Sequence, residues 1–525
     1  MSVEAAASPQ QAPVTTRVVL WGALALGLVV LSLSLRAPSF IDVPLDRDEG
    51  AYALIAQQWA RGATLYRDYF DHKPPLIYGA YRGIFAVAGE RLAAVRTAFA
   101  LANAFTALVC AGIVWRLTAG RQLVAALLTA VAACIFLNSP LVQGETANTE
   151  TLMVLGTACA AWLISQAARG RIAATLAGVC AGLALLAKPV ALCEAAFFAI
   201  WLATRASPGP TQARRFIAGV VLPSLVCGLY ALGHAALVPS IDAVLFYNLR
   251  YAGAAAVPLW ARLAALPIDY GVPLALLWAG VAGCTLTVLR SGPQPANFAL
   301  GWTAAALVGT LASGRIYDHY YQQLIPPMAV GLGITAAAIG QLTRSRGARI
   351  AYAIAVAVGL WPPITAARNF AAYGRVHSCA DWQPRLAAVI RSLTAPDDRL
   401  FIWGAEPYLN FAAERRPPNR FIYKYPLLSN NQAGRDAWLE LLSTWNARPP
   451  AVIVVVKSEA SAEPGNSAAT EILASDAPFH RLLNGFAPAL ETEGFVLYAR
   501  TDLLPLPWQV HWERSRPDGC TSPAS

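Results

Sequence analysis

The feature of this sequence that most restricts its fold is a series of apolar blocks, each roughly 16 to 28 residues long, separated by short breaks that carry arginine. An α-helix needs about 20 apolar residues to cross the hydrocarbon layer of a bilayer. Charged residues make up only 13% of the chain and the mean hydropathy is +0.46. The sequence therefore predicts a polytopic α-helical membrane protein and excludes a soluble globular fold.

The net charge of +10 is by itself typical of a nucleic-acid-binding protein. The arginines, however, cluster in the short breaks between apolar blocks, as they do in the cytoplasmic loops of membrane proteins. We therefore predict the lipid bilayer as a partner and no nucleic acid.

About 11 transmembrane helices can be marked. Their approximate ranges are 17–35, 91–115, 122–138, 149–166, 172–187, 189–204, 216–238, 272–289, 297–313, 324–342 and 350–366. Arginine-rich breaks alternate with breaks that hold acidic and aromatic residues, so the arginine-rich set is assigned to the cytoplasm. This alternation predicts that residues 1–16 form a cytoplasmic tail and that the C-terminus lies outside. Residues 17–369 are predicted to form the transmembrane domain.

Two outer segments are long enough to form structure of their own. The first loop, about 36–90, is predicted to contain one or two helices in the membrane interface, with Tyr66, Tyr69, Tyr78 and Tyr81 at headgroup depth. From about 370 onward the charged fraction rises, and a C-terminal α/β domain is predicted over residues 370–505, followed by a flexible tail, 506–525. Its predicted elements are a helix at Trp382–Leu393 and strands at Arg399–Trp403, Ala451–Val456 and Gly494–Arg500.

The nine cysteines show no metal-binding spacing, and seven of them lie inside apolar blocks. Cys379 and Cys520 lie near the two ends of the predicted outer domain, in a compartment that permits disulfides. A bridge between them and a pair of free thiols both remain open.

Charged residues gather in the first outer loop, in the segments Asp46-Arg47-Asp48-Glu49 and Asp71-His72-Lys73. Carboxylates can take a proton from a hydroxyl group and cations can hold a phosphate, which are the two requirements of glycosyl transfer from a phospholipid carrier. The alternative explanation is a solvated loop whose charges have no function.

Two further clusters are predicted on the same outer face. Glu145 and Glu150 lie at the mouth of the fourth span, where an ordinary helix cap is the alternative explanation. Arg315, His319, Tyr320 and Tyr321 precede the tenth span, where an aromatic belt would account for the tyrosines but less well for the charged residues. Lys188 adds one more cation on this side.

The loop LDRDEGAYALIAQQWARGATLYRDYFDHKPPLIY closely resembles the bacterial GT-C membrane glycosyltransferases of the protein-mannosyltransferase and aminoarabinose-transferase-like superfamily. The segments ANTETLMVLG, GRIYDHYYQQLIPP and WGAEPYLNFAAERRPPNRF are also similar to that family, so the resemblance spans most of the chain. It implies a GT-C fold and a transferase of the bacterial inner membrane. Such a transferase would use a polyprenyl-phosphate monosaccharide at the periplasmic face and invert the anomeric centre.

By motif position, the resemblance puts Asp48 at the family's first-loop catalytic carboxylate, Lys73 at the lysine that contacts donor phosphate, and Glu150 at the second acidic position. Two positions depart from the aminoarabinose branch, because this chain has Ala51 where that branch has arginine and His72 where it has glutamate. Transfer of aminoarabinose to lipid A is therefore doubtful. The sugar stays open, and so does the acceptor, which could be a glycan, a lipid or a protein.

The residues and the resemblance together give a candidate site. The catalytic candidates are Asp48, Glu49 and Glu150; the donor-phosphate candidates are Lys73, His72, Arg315, Tyr320 and Tyr321; the candidates for acceptor binding or loop support are Asp46, Asp71, Glu145 and His319. Asp48 and Glu49 are adjacent, so their side chains point in different directions and only one is expected to reach the acceptor. No cofactor is assigned, and a divalent cation held by carboxylate oxygens stays open.

The rival hypothesis is a transporter or lipid-linked-sugar flippase without transferase activity. Transporters place ionisable residues near the bilayer midplane and often contain two related halves. Here the charges lie at the outer ends of spans and no half-repeat is visible, so the transferase is preferred.

Overall fold

The computed structural model describes residues 14–166, 171–205, 207–253, 257–291, 295–342, 346–377, 382–428, 432–457, 482–492 and 494–504. The described chain is mostly α-helical. The helices before the outer domain are α1 Val14–Arg36, α2 Arg47–Ala60, α3 Leu76–Ala88, α4 Leu92–Leu117, α5 Leu123–Leu137, α6 Thr149–Ile164, α7 Arg171–Ala187, α8 Leu192–Arg205, α9 Gly209–Gly233, α10 Leu237–Ile241, α11 Asn248–Gly253, α12 Leu259–Asp269, α13 Ala275–Ser291, α14 Ala296–Ala312, α15 Ile325–Leu342, α16 Arg346–Gly359 and α17 Trp361–His377.

Within the described residues, five helical stretches are long and apolar enough to cross a membrane: Thr15–Ser39, Leu92–Leu117, Gly209–Gly233, Asp318–Gly340 and Ile350–Ala372. Shorter apolar helices, among them α5, α6, α7, α13 and α14, coincide with further predicted spans. The chain is therefore a multi-pass membrane protein, while the total of 11 spans stays a prediction.

The membrane-embedded helices share one core that includes buried residues of α4, α5, α6, α7 and α15. Close approach between α7 and α9 depends on glycine. A Cβ atom on Gly178 would lie 2.0 Å from the backbone oxygen of Phe216, and one on Gly219 would lie 2.2 Å from the backbone oxygen of Thr175. Small residues of this kind let helix backbones pack directly against each other in a membrane.

The first outer loop folds into α2 and α3, which pack against each other and against the outer domain. The tyrosines of this loop are buried within the protein, and their depth in the membrane stays a prediction. Tyr66, Tyr69, Tyr78 and Tyr81 expose between 0% and 7% of their surface. They are buried because Tyr78 and Tyr81 make edge-to-face contacts with Tyr52 of α2 and because Tyr69 lies beneath the outer domain.

After α17 the described chain forms α18 Trp382–Leu393, β1 Leu400–Trp403, α19 Tyr408–Ala413, α20 Gln432–Ala447, β2 Val452–Val456, β3 Phe486–Glu491 and β4 Phe495–Arg500. The strands form one sheet in the order β1-β2-β4-β3, with β1 and β2 parallel and the other pairs antiparallel. Strands therefore occur at the three segments where they were predicted, together with β3, which was not predicted.

The outer sheet and its helices rest on the first loop. A Cβ atom on Gly50 of α2 would lie 2.8 Å from Cβ of Tyr408 in α19, so glycine is required at this crossing. The backbone amide of Phe70 also donates to the carbonyl oxygen of Arg420, at 2.8 Å. Cys379, Cys520 and the predicted flexible tail lie outside the described residues, so the disulfide stays a prediction.

Candidate active site

Helix α2 begins at the candidate site, and its start is fixed by a capping box. Asp46 is the N-cap, and its carboxylate accepts a hydrogen bond from the backbone amide of Asp48 at 3.2 Å. Burial and the negative charge of Asp48 together raise the pKa of Asp46 to about 7. Residues of the cap box satisfy amides that a helix start leaves unpaired, so the acidic motif has a structural role as well as a chemical one.

Asp48 is the carboxylate of this motif that remains partly open, with 21% of its side chain exposed. Its Oδ2 lies 3.3 Å from Nζ of Lys73 and accepts a hydrogen bond from the hydroxyl of Tyr52 at 3.2 Å. Burial would raise the pKa of Asp48, but the positive charges of Lys73 and Arg47 outweigh it and hold that pKa well below its usual range. Asp48 in turn holds the pKa of Lys73 well above its usual range, against the effect of burial.

Glu49 points the other way, as expected for a neighbour on a helix, and is 1% exposed. Its carboxylate receives two hydrogen bonds from the guanidinium of Arg96, at 2.9 and 2.5 Å. It also accepts from the backbone amides of Ala147 and Leu45, both at 2.9 Å. With both oxygens engaged, Glu49 connects α2 to the start of α4 and to the loop before α6.

Helix α6 also begins at the site, with Asn148 as its N-cap and Glu150 in its first turn. Glu150 is fully buried and forms an ion pair with Lys188. Its Oε1 lies 3.8 Å from Nε2 of His319, and the Lys188 ammonium lies 3.5 Å from the centre of the Tyr320 ring. Two predicted clusters, one before the fourth span and one before the tenth, therefore meet at this carboxylate.

These groups surround a cavity of about 480 Å³ between the membrane helices, the first loop and the outer domain. Eight predicted or motif residues line it: Asp46, Arg47, Asp48, His72, Lys73, Glu145, His319 and Tyr320. Trp382, Gln383 and Glu406 of the outer domain close its far side. Burial raises the pKa of Glu145, in the cavity wall, to about 7.

Five predicted residues do not line this cavity. Two of them, Glu49 and Glu150, are the buried carboxylates described above, which lie behind its wall. Tyr321 is buried and stacks on Tyr270. Asp71 is 2% exposed and accepts hydrogen bonds from the hydroxyl of Tyr78 at 2.9 Å and the backbone amide of His72 at 2.6 Å, so it fixes the loop beside Lys73. Arg315 lies in the turn after α14, where its backbone contacts the hydroxyl of Ser313.

A second, larger cavity of about 890 Å³ is mainly apolar and shares no lining residue with the first. Its wall includes Leu141, Pro273, Ala366 and Phe370. Asp318 lines this second cavity while the next residue, His319, lines the first. The walls of the two cavities therefore contain residues that are neighbours in sequence.

No group of three or more His, Cys, Asp or Glu side chains in the described parts of the chain is placed to hold a metal ion. The side chain of Asp48 is paired with Lys73 in this arrangement.

Comparison with solved structures identifies the fold. The structure of ArnT from Cupriavidus metallidurans bound to undecaprenyl phosphate superimposes with a TM-score of 0.61 at 15% identity, covering 94% of this chain and 100% of that one. The oligosaccharyltransferase of Archaeoglobus fulgidus tethered to an acceptor peptide gives 0.51 at 12% identity, covering 93% and 75%. The chain has the GT-C fold.

A comparison with protein families gives a match to part of the sequence. The profile of the family described as dolichyl-phosphate-mannose-protein mannosyltransferase matches residues 72–232, less than one third of the chain. That range includes Lys73, Glu150 and Lys188. No curated protein matches the sequence significantly. The GT-C resemblance read from the motifs is thus confirmed.

Several residues that shape the site in this GT-C chain were not singled out from the sequence. Arg96 holds Glu49, and its position inside an apolar block was a usable signal, because a charge at membrane depth needs a partner. Tyr52 links Asp48 to Asn148 through its hydroxyl, with the second contact at 3.0 Å. Gln143 contacts Nδ1 of His319 at 2.7 Å, and no sequence pattern distinguishes it.

Proposed function

We propose that this protein is a glycosyltransferase that moves a monosaccharide from a polyprenyl-phosphate carrier to an acceptor hydroxyl at the periplasmic face. The observation that carries the proposal is the partly exposed Asp48 carboxylate beside Lys73, in a cavity that also contains His319 and Tyr320. A base and a set of phosphate-binding groups thus face one space. The GT-C fold supports the same activity, since the ArnT structure holds undecaprenyl phosphate.

The proposed donor spans both cavities. Its sugar and phosphate occupy the polar cavity, where Lys73, His319 and Tyr320 supply cationic and hydrogen-bonding contacts. Lys188 lies behind this wall, against the ring of Tyr320, and adds positive charge from there. Its polyprenyl chain follows the apolar cavity beside Asp318. The change from polar to apolar lining between His319 and Asp318 matches the amphipathic nature of such a donor.

The proposed reaction is a single displacement with inversion. The acceptor hydroxyl gives its proton to Asp48, and its oxygen forms a bond to the anomeric carbon. The bond from that carbon to the phosphate oxygen breaks, and the polyprenyl phosphate leaves with the electron pair. A carboxylate can assist such an attack as a general base, and fixed positive charge stabilises the departing phosphate.

The pairing of Lys73 with Asp48 links donor binding to base strength. Lys73 holds the pKa of Asp48 low, which makes Asp48 a weak base. A donor phosphate that attracts Lys73 would remove part of that positive charge from Asp48. The pKa of Asp48 would then rise toward its usual range, so the base is strengthened only when the donor is bound.

The direct test is transfer by the reconstituted full chain, with a defined undecaprenyl-phosphate sugar and envelope extract as acceptor, followed by mass spectrometry of the products. Comparison of envelope glycans, lipids and proteins from a strain lacking the gene would identify the sugar and the acceptor. We expect one sugar modification to disappear. Unchanged envelope chemistry, together with sugar-lipid movement across vesicles, would instead support the flippase.

The membrane orientation has its own test. Reporter fusions truncated after Gly120 and after Gly374 should report opposite sides of the membrane, with Gly120 in the cytoplasm. Reporters on the same side would contradict a periplasmic location for the outer sheet.

A further inference from the structure

A second polar pocket, of about 390 Å³, lies between the first loop and the outer domain and shares no residue with the active-site cavity. We call it the arginine pocket. Its charged lining residues are Arg61, Arg67, Arg399, Arg416, Arg420 and Arg448, with Asp68 and Glu440 as the only carboxylates of the lining. The pocket therefore carries a clear excess of positive charge, and nothing in the proposed reaction uses it.

The two carboxylates are already neutralised by neighbours. Asp68 pairs with Arg67, at 2.8 Å, and Glu440 pairs with Arg420, at 2.9 Å. Arg61 is directed to Glu90 and Glu414, at 3.4 and 3.5 Å, which lie outside the pocket. The positive charge left over belongs to Arg399, Arg416 and Arg448, which form no ion pair among the described residues.

These three guanidinium groups are close enough to repel one another. Burial lowers the pKa of Arg399, and the positive charges of Arg448 and Arg416 add to this effect against the opposing influence of Tyr69 and Asp397. The Arg399 guanidinium donates from Nη1 to the carbonyl oxygen of Pro417 at 3.0 Å. Several guanidinium groups held together with few carboxylates can bind an oxyanion through charge-assisted hydrogen bonds.

An independent observation points to a missing ligand in the same pocket. Asn419 is only 7% exposed and lines the pocket, yet neither its side-chain nitrogen nor its side-chain oxygen has a hydrogen-bond partner. A buried amide without a partner loses free energy relative to one that is hydrogen-bonded. A phosphate or phosphate ester in the pocket could accept from the amide nitrogen of Asn419 and from the guanidinium groups of Arg399, Arg416 and Arg448.

One edge of the pocket lies next to the end of a long apolar helix. Nη1 of Arg67 donates to the carbonyl oxygen of His234 at 3.0 Å, and His234 is the C-cap of α9. Under the predicted topology this end of α9 faces the periplasm, which would bring the pocket close to the lipid headgroups.

We infer that the arginine pocket is a binding site for a phosphate group, separate from the catalytic cavity. The phosphate could be that of an anionic lipid headgroup or of a soluble phosphate compound. A soluble phosphate compound would be held beside the catalytic cavity. A lipid headgroup in the pocket would instead anchor this part of the protein to the membrane surface.

The test compares variants of the full chain in phosphatidylcholine nanodiscs. Arg416→Gln and Arg448→Gln each remove one charge from the pocket. Arg435→Gln is the matched control, because Arg435 is also exposed, lies on α20 close to Arg448 in sequence, and bonds only to Gln432 in the described structure. Inorganic pyrophosphate is titrated calorimetrically, and hydrogen–deuterium exchange of peptides covering 61–69 and 416–420 locates the binding.

We expect pyrophosphate to protect those peptides in the wild-type protein and in Arg435→Gln. Arg416→Gln and Arg448→Gln should each weaken the binding about tenfold, the loss expected for one charge-assisted hydrogen bond. Binding to the catalytic cavity would be equal in all variants, so it cannot produce this difference. Equal affinity and equal protection in all four proteins would overturn the inference.

A second arm separates the two sources of phosphate. If exchange protection of the same peptides appears in phosphatidylglycerol nanodiscs without pyrophosphate, and is lost in Arg448→Gln, the ligand is a lipid headgroup. If the peptides are protected only by pyrophosphate, the ligand is a soluble phosphate compound. No protection under either condition would also overturn the inference.

Discussion

Two helices begin at the same cavity with a carboxylate in the first turn, and the two carboxylates are held differently. Asp48 at the start of α2 exposes 21% of its side chain and has one cation, Lys73, beside it. Glu150 at the start of α6 is fully buried, with Lys188 and His319 around it. An accessible carboxylate can meet an acceptor hydroxyl, whereas a buried one can fix the cations that meet a phosphate.

Removing the charge of Asp48 and removing the charge of Glu150 should have different consequences. Under the proposed mechanism, loss of the Asp48 charge removes a reacting group, and it leaves Lys73 at least partly hydrated. Loss of the Glu150 charge leaves the Lys188 ammonium buried without its counter-ion, which is unfavourable for the fold. Loss of the Asp48 charge should therefore lower turnover, and loss of the Glu150 charge should lower stability.

The largest effect is expected for Asp48→Asn, which keeps the size of the side chain and removes its negative charge. Without a base the acceptor hydroxyl is a poor nucleophile, so transfer should fall about a hundredfold with an unchanged melting temperature. The measurement is single-turnover transfer with reconstituted enzyme. The control is Glu49→Gln, which breaks the buried pair with Arg96 and should lower the melting temperature more than the turnover of the folded protein. The opposite pattern would make Glu49 the catalytic carboxylate.

The next effect is expected for Glu150→Gln, which should lower the free energy of unfolding by about 2 kcal/mol because Lys188 keeps a buried charge. Thermal melting in detergent measures it. The double variant Glu150→Gln, Lys188→Met removes both charges with little change in volume and should recover most of that stability. Transfer should stay low in the double variant, because the Lys188 cation is absent. A melting temperature equal to that of the wild type in Glu150→Gln alone would contradict the difference between the two centres.

A smaller effect is expected for Lys73→Gln. The KM for the donor should rise about tenfold, the loss of one charge-assisted contact to phosphate. Lys73 also lowers the pKa of Asp48, so its removal should move the acidic limb of the pH profile of kcat/KM to higher pH. Lys457→Gln is the control, because Lys457 pairs with Glu491 in the outer sheet, and both its KM and its pH profile should match the wild type. If the acidic limb is unchanged in Lys73→Gln, Lys73 does not control the pKa of the catalytic carboxylate.

The sequence was sufficient to predict the membrane class, the GT-C fold and most of the acidic, basic and histidine residues that line the cavity. Hydropathy blocks are long and redundant signals, and the strands β1, β2 and β4 have continuous apolar runs. Strand β3 was missed because Pro488 and Glu491 interrupt its pattern. Its place at the edge of the sheet tolerates proline, which an inner strand does not.

The pairing of side chains could not be read from the sequence. Which carboxylate of the Asp48–Glu49 pair faces the cavity depends on Arg96, which is 47 residues away from Glu49. The burial of the loop tyrosines depends on α2 and the outer domain packing over them, a contact between distant parts of the chain. Local patterns specify helices and strands, but they do not specify which distant group neutralises a buried charge.

The smallest effect concerns Asp46, whose pKa of about 7 results from burial and from the charge of Asp48. The folded chain keeps a proton on Asp46 at pH values where the unfolded chain has lost it. Raising the pH toward about 7 therefore lowers the stability of the folded state, and a further rise lowers it no more. Asp46→Asn cannot ionise, so its melting temperature should fall less than that of the wild type between pH 5 and pH 7, and equally above that range. Melting curves in one detergent over this pH range measure the difference.

Glu145 titrates in the same range but is unchanged in the variant, so it cancels from the comparison. Asp42→Asn, at an exposed position paired with Arg91, is the control and should follow the wild type. If Asp46→Asn also follows the wild type at every pH, Asp46 is ionised in the folded protein. The two negative charges at the start of α2 would then be held side by side.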